Sequence, residues 1–459
     1  MKKYFGDKAF YLMVLAVAFP IMIQNGVTNF VGLLDNLMVG QLGTEAMSGV
    51  AIVNQFQMVY GICIFGVVSG ASIFGTQFFG KGEHENLRST FQFKMVVAFI
   101  VAIVWMLVFA IDGKELVNLY LSDDGQSDIV LTYQCAHNYL MIMLIGMIPF
   151  AISQVYASTL RETGQTLVPM IGSSAAVLTN CFLNYLLIFG NFGAPKLGVT
   201  GAAIATVTSR YIEFFIVVIW THLNSAKEKF IIGAYTKCTI TKNLIIQIIK
   251  TGTPLFLNET LWSVGQAAIV QCYSTRGLNS VAALNISTTV ANLFNVVFIS
   301  LGNSVGIIVG QLLGADKKEK AIDTDRKMIV FSLVSGILIG AVMFMLSPLI
   351  PQIYKTNDTV RALATDILKV GAVFMPVYAF YHAAYFTLRT GGKTVITFLF
   401  DSCYLLVVNL SLAFLLTRYT KIQVVEIYII VQLAESLKCI VGYILLKKRV
   451  WVNNLVNKL

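Results

Sequence analysis

The chain has 459 residues, of which 57% are apolar and only 12% charged, and its mean hydropathy is +0.75. A soluble domain carries about 25% charged residues. This composition therefore excludes an ordinary globular enzyme, a disordered chain and a nucleic-acid-binding domain. The formal net charge is +10, from 33 Lys and Arg against 23 Asp and Glu, and its placement along the chain reads as a topology signal.

Long uncharged runs fill 9–34, 46–80, 129–160, 163–195, 277–315, 328–354 and 370–388. About 20 apolar residues in a helix cross a hydrocarbon core of roughly 30 Å. Backbone in lipid must satisfy its own hydrogen bonds, which leaves helices or a closed barrel. Barrel strands would alternate over about 10 residues, and these runs do not. The first predicted span, 9–38, follows Met1-Lys2-Lys3, shows no small-residue cleavage pattern and runs on through Asp35. It is expected to be a retained span rather than a removed signal peptide. The others are 46–80, 90–111, 129–160, 165–190, 198–223, 244–275, 281–313, 327–350, 365–388, 393–416 and 423–446, giving twelve. Counting span-edge residues with the nearest connection, 23 basic residues fall on the two ends and the even-numbered connections, against 8 on the odd-numbered ones. Lys and Arg concentrate on the cytoplasmic side, so both termini are expected there, in a multi-pass plasma (inner) membrane protein.

The two halves of the sequence repeat. Val50-Ala51-Ile52-Val53-Asn54 recurs as Val281-Ala282-Ala283-Leu284-Asn285, and Gln77 with Gly80 as Gln311 with Gly314. Leu160-Arg161-Glu162-Thr163-Gly164-Gln165-Thr166 recurs as Leu388-Arg389-Thr390-Gly391-Gly392-Lys393-Thr394, with Pro149 and Pro376 upstream; Pro20 and Pro254 lie near the start of each half. Six spans per half make the repeats parallel, a symmetry common in secondary transporters. The expected organisation is an N-lobe over 1–223, a basic cytoplasmic linker over 224–243, and a C-lobe with a short tail over 244–459. Gly302, Gly306, Gly310 and Gly314 recur every four residues in span 8, and Gly66 and Gly70 mark the matching part of span 2. Such ridges let helices approach closely, and the two spans are candidates to meet each other.

A charge inside a bilayer is costly, about 2.5–3.5 kcal/mol for Asp on insertion scales, so ionisable residues within spans are candidate sites. They are Asp35, Arg210, Glu213, Glu259 and Asp401, with His137 and His382. Asp35 reads as a cation or proton site, or as an interfacial carboxylate in water. Glu259 follows Pro254 by five residues; at the repeat offset it aligns with Asn25, and Asp35 with Ile269, so the two acids are not symmetry-related. Asn180 and Asn184 share one face of span 5. With Thr206 they can supply oxygens to a monovalent cation such as Na⁺ at Asp35, tune its proton, or simply join helices. Arg210 and Glu213, three apart, are expected to pair locally. His382 lies beside Tyr378, Tyr381 and Tyr385, while Trp262 and Phe256 flank Glu259. These aromatic positions suit either a wall for a cationic substrate or packing.

The seven cysteines form no CxxC pair and read as small buried apolar groups. No phosphate-binding loop, HExxH or nucleophile elbow appears. No enzymatic chemistry and no cofactor are therefore expected, and transport would run on an ion gradient.

The ordered set of motifs resembles the multidrug and toxic compound extrusion (MATE) family over essentially the whole chain. It comprises Pro20 with Asp35-Asn36-Leu37-Met38-Val39-Gly40-Gln41-Leu42-Gly43, the Gln77-to-Gly80 segment, Leu160 to Thr166, Asn180 to Gly190 followed by Leu197-Gly198-Val199-Thr200-Gly201-Ala202-Ala203, and Gln311 to Gly314. The resemblance implies an all-α polytopic membrane protein, with 12 transmembrane helices in two pseudo-symmetric parallel six-helix lobes around a central cleft. It also implies a monomer that exports organic cations or drugs by alternating access, in exchange for H⁺ or Na⁺. Asp35, Asn180, Asn184 and Thr206 match the family's N-lobe ion or proton site, Pro20 its hinge, and Glu259 its acid in the seventh span. The family often carries Asp where Asn184 stands, and an acid in mid span 10 where this chain has Tyr378, Tyr381 and His382 but no carboxylate. Tyr378, His382 and Trp262 are the candidate substrate contacts. The competing readings are a flippase or exporter of a lipid-linked or polysaccharide substrate, a major-facilitator transporter, and an intramembrane enzyme or receptor.

Overall fold

The structure, a computed structural model, describes residues 4–121, 128–354 and 356–458. Met1-Lys2-Lys3 and Lys355, which enter the charge count above, lie outside the described residues. Among the described residues the regular structure is helical throughout. It comprises α1 (Lys8–Gly40), α2 (Thr44–Lys81), α3 (His84–Asn118), α4 (Ile129–Ile145), α5 (Met147–Glu162), α6 (Leu167–Phe189), α7 (Val199–Leu223), α8 (Lys242–Ser274), α9 (Leu278–Gly314), α10 (Lys318–Leu346), α11 (Asp358–Thr390), α12 (Thr394–Phe398), α13 (Ser411–Tyr419) and α14 (Val424–Lys447). Two π-helical segments, Leu399–Cys403 and Leu405–Leu410, join α12 to α13 into one spanning unit.

Ten of the described helical spans are long and apolar enough to cross a membrane, and the pair α4 and α5, bent by 49°, makes an eleventh. The bend was not visible in the uncharged run 129–160; it falls at Gly146, two residues before Ile148-Pro149. The twelfth is α8, which has 33 residues but is diluted by Asn258, Glu259, Thr260, Ser263 and Gln266. The chain is a multi-pass, all-helical membrane protein.

The described residues group into two compact units. Of the described residues, those within Ile23–Gly75 and Glu83–Ile245 form the N-terminal unit, and those within Met1–Met22, Thr76–Gly82 and Ile246–Leu459 form the C-terminal unit. The boundary falls within α1, just past Pro20, where the ring removes a backbone donor and weakens the helix.

In the N-terminal unit, α6 and α7 form a tight antiparallel hairpin. Gly190 ends α6 in the left-handed conformation (φ 76°), Leu197 N donates to Leu187 O at 2.8 Å, and a Cβ on Gly201 would sit 2.6 Å from Leu187 O. The segment 224–243 is docked rather than free. Phe230 and Ile231 are buried, Gln92 Nε2 donates to Ala234 O and Lys237 O at 2.7 and 2.6 Å, and Thr239 N donates to Gln92 Oε1 at 3.0 Å. The Lys94–Glu162 ion pair is 2.7 Å long and almost fully buried; Lys94 also donates to Thr159 Oγ1, and Ser158 Oγ donates to Glu162 Oε1. Removing one member of such a pair costs about 3–5 kcal/mol.

In the C-terminal unit the glycine ridge does what its spacing suggests. A Cβ on Gly302 would meet the Phe386 ring at 2.2 Å, one on Gly310 would meet Thr76 Cγ2 at 2.8 Å, and one on Gly314 would meet Gln77 O at 1.9 Å. The contact is reciprocal, because a Cβ on Gly80 would lie 2.0 Å from Gln311 O. The ends of α2 and α9 thus cross backbone to backbone through the repeated Gln and Gly. Gln77 also binds the tail: its Nε2 donates to Thr390 O (3.1 Å) and Asn453 O (3.3 Å), and Leu455 N donates to its Oε1 (2.8 Å). The repeated turns share a shape as well, with Gly164 and Gly392 at φ 85° and 72°.

Candidate functional site

Asp35 lies on α1 five residues before the helix ends, and α6 presents Asn180 and Asn184 to it from one face. Asn184 Nδ2 donates to Asp35 Oδ1 at 2.5 Å. With the Asn180 amide rotated by half a turn, its nitrogen donates to Asp35 Oδ1 at 2.7 Å and its oxygen accepts from Thr206 Oγ1 at 3.2 Å. That orientation serves Asp35 and Thr206, whereas the other lets Asn180 Oδ1 accept from Asn184 Nδ2 at 3.1 Å. The two asparagines are nearly fully buried, at 4% and 1% exposure, and Asn184 Oδ1 has no partner. The hairpin packing of α6 on α7 places Thr206, and Tyr139 of α4 reaches the same hydroxyl. The structure thus joins Asp35, Asn180, Asn184 and Thr206 into one network.

Deeper in this unit, Arg210 donates to Gln57 Oε1 at 3.2 Å and lies 5.0 Å from the Phe150 ring centre. Glu213 lies in the electrostatic field of both Arg161 and Arg210. Arg210 and Glu213, expected to pair locally, interact electrostatically, and Arg210 also binds Gln57. His137 stacks on Tyr133 at 5.8 Å.

Glu259 belongs to the C-terminal unit. Tyr385 OH donates to Glu259 Oε1 at 3.3 Å, and Asn258 Nδ2 donates to Asp401 Oδ2 at 3.0 Å. Asn258 is held in turn by Ser402, whose Oγ donates to Asn258 O at 2.6 Å. Asp401, without an evident partner in the sequence, pairs with Lys438 at 3.2 Å, and Lys438 pairs with Glu435 at 2.7 Å. His382 Nδ1 lies 2.8 Å from Tyr378 O and its ring stacks on Tyr381 at 4.5 Å. Tyr378 OH donates to Gln432 Oε1 at 2.6 Å. Trp262 stands apart from these contacts and is 40% exposed.

Sequence reasoning missed Glu435, Lys438, Asn258, Tyr139 and Gln57. The signal for the first two was present, as two charges three residues apart within predicted span 12.

The family model MatE matches residues 20–186 and 254–415, one stretch in each half of the sequence. The chain is 23% identical over 423 residues to a protein named a probable multidrug resistance protein NorM from Thermotoga maritima, covering 91% of this chain and 88% of that one. It is 24% identical over 430 residues to the probable multidrug resistance protein YoeA of Bacillus subtilis, covering 92% and 91%. Its fold matches a multidrug resistance MATE family transporter of the MOP superfamily in an outward-facing conformation, at a TM-score of 0.87 and 17% identity over 98% of this chain and 97% of that one. The chain belongs to the MatE family of transporters.

Proposed function

We propose that the protein is a secondary active multidrug exporter, which moves organic and often cationic compounds out of the cell by alternating access, in exchange for protons taken up at Asp35. The observation that carries this reading is the polar network around that carboxylate, built by α1, α6 and α7 within apolar helices. The relatives named for multidrug resistance supply the substrate class. The network favours a proton over Na⁺. Asn184 Nδ2 and, in its rotated orientation, the Asn180 nitrogen point at Asp35, whereas a sodium ion needs oxygens turned toward it. Beyond the carboxylate, Asn184 Oδ1 and Thr206 Oγ1 are the side-chain oxygens left for an ion in that arrangement.

Protonation would release those amide donors, and the change would pass along α1 to Pro20, the hinge. The driving ion shifts the equilibrium between lobe arrangements only by its differential affinity for them. Glu259 is the second coupling candidate, in the C-lobe. Trp262, Tyr378 and His382 are the candidate substrate contacts. Repeat halves 1–223 and 244–459, the cytoplasmic linker 224–243, cytoplasmic termini and a monomeric state complete the reading. A phosphate-bearing substrate would need uncommitted cations in the spans. Arg210 and Lys438 are both engaged, by Gln57 and Phe150 and by Asp401 and Glu435.

The test is ethidium efflux from proteoliposomes under separately imposed proton and sodium gradients. Efflux driven by the proton gradient alone supports the reading. Efflux driven by the sodium gradient alone overturns the proton assignment, and efflux by neither overturns the antiporter.

A further inference from the structure

The C-terminal unit holds a second buried charge cluster that the coupling at Asp35 does not use. Glu435 and Lys438 share a face of α14, and Asp401 reaches them from the π-helical turn of the neighbouring span. The Lys438 side chain is 1% exposed, and its ammonium sits 3.2 Å from Asp401 Oδ1 and 2.7 Å from Glu435 Oε1. The same nitrogen lies 5.2 Å from the centre of the Tyr381 ring and 5.5 Å from that of Tyr404. Two carboxylates and two aromatic faces around one nitrogen are the surroundings that proteins give to ammonium ligands. Asn409, 3% exposed, donates to Glu435 Oε2 and leaves its own Oδ1 without a partner. A buried polar oxygen without a partner beside a carboxylate cluster is the donor that an ion would complete.

The other groups that face this nitrogen or its carboxylates do not neutralise the cluster. Asp401 lies within the field of Glu259 on α8, and Arg389 acts on Glu259. His382 on α11 senses Asp401, Glu435 and Lys438 together. One lysine thus stands against two carboxylates, while Glu259 has Arg389 as its own counter-charge. The repeat adds a parallel: at the offset that separates Leu388 from Leu160, Lys438 is the counterpart of Arg210. Arg210 rests on a ring and an amide, while Lys438 rests on rings and two acids.

We propose that Lys438 is the resident cation of an ammonium-type cation site in the C-terminal bundle. Its nitrogen occupies the position between Asp401, Glu435, Tyr381 and Tyr404 that a monovalent cation would otherwise take, and it closes that position to Na⁺. The tether makes occupancy an intramolecular event, so a free ion has to compete with a group that never leaves the site. A chain with alanine at 438 loses the three carbons and nitrogen beyond Cβ, and n-propylammonium has that composition.

The experiment compares purified wild type, E435Q, K438A and K438A/E435Q with n-propylammonium, Na⁺ and N-methylglucammonium as the bulky control. K438A is expected to show a saturable rise in melting temperature with n-propylammonium, with binding about tenfold or more tighter than to wild type. A smaller rise is expected with Na⁺, none with the control, and none in K438A/E435Q. If K438A is recovered unfolded, the yield of monodisperse protein expressed with n-propylammonium is the readout, and its restoration supports the proposal. Equal responses of wild type and K438A, or no response and no restored yield, overturn it. Na⁺ binding to wild type that E435Q abolishes also overturns it. These readouts are of binding, so they stand apart from whether Asp35 couples transport to protons.

Discussion

If the network at Asp35 takes up protons as proposed, Asn184→Asp would turn it into one that demands a cation. Asn184 Nδ2 now donates to Asp35 Oδ1 over 2.5 Å. The substitution replaces that donor with a second acceptor and puts two carboxylates side by side. Unit charges about 4 Å apart repel by about 4 kcal/mol at an effective dielectric constant of about 20. Burial of both asparagine positions limits the relief that water can give. A bound cation removes this repulsion, so at about 1.4 kcal/mol per decade the variant gains up to about three decades in cation affinity. The assay is ethidium efflux from proteoliposomes at fixed internal and external pH, titrated with Na⁺. The wild type is expected to be indifferent to Na⁺ and Asn184→Asp to be stimulated by it. Asn184→Asp efflux that is folded, active and still indifferent to Na⁺ would refute the reasoning, because the amide donor would then have no part in excluding sodium.

Gly314→Val is expected to be worse than an ordinary helix-surface change, because the Cβ would sit 1.9 Å from Gln77 O on α2. Overpacking against backbone costs about 1–3 kcal/mol, read as a lower melting temperature, whereas valine at the open position Gly61, with nothing within 4 Å, leaves it nearly unchanged. Glu228 lies outside the membrane spans, and burial pushes its carboxyl above the ordinary range against the pull of Thr163 and Lys227. A raised carboxyl contributes stability below about pH 4.3, and that contribution is lost as pH rises through the folded value. Glu228→Gln should therefore melt close to wild type at pH 4 and progressively above it towards pH 8; a difference independent of pH would contradict the assignment.

The spans and the repeat were legible because both rest on local, one-dimensional signals. Charge-free runs show where lipid lies, and recurring Gln and Gly residues show where helices approach. The crossing of α2 with α9 follows from that pattern, since only glycine admits backbone at that distance. The grouping at Asp35 was legible in part: Asn180 and Asn184 share a face by helical period alone, but Tyr139 came from a span with no acidic landmark. The C-terminal cluster was not legible, because Asp401 meets Lys438 across two helices and the π-helical winding of Leu399–Cys403 leaves no signature in residue type. The bend at Gly146 was hidden within a run uniform in hydropathy. The linker reads as charged and polar, yet Phe230 and Ile231 anchor it, and an apolar pair in a basic segment was the sign to follow.

If Asp35 is the group through which protons and substrate exchange, the two flows are coupled at that carboxylate. The most direct measurement is proton movement, followed with a pH-sensitive dye trapped in proteoliposomes when a gradient of an organic cation is imposed, for wild type and Asp35→Asn of matched melting temperature. Substrate-driven proton counterflow is expected in the wild type, and its loss in Asp35→Asn while the substrate still binds. Counterflow of undiminished size in folded Asp35→Asn would contradict coupling at Asp35.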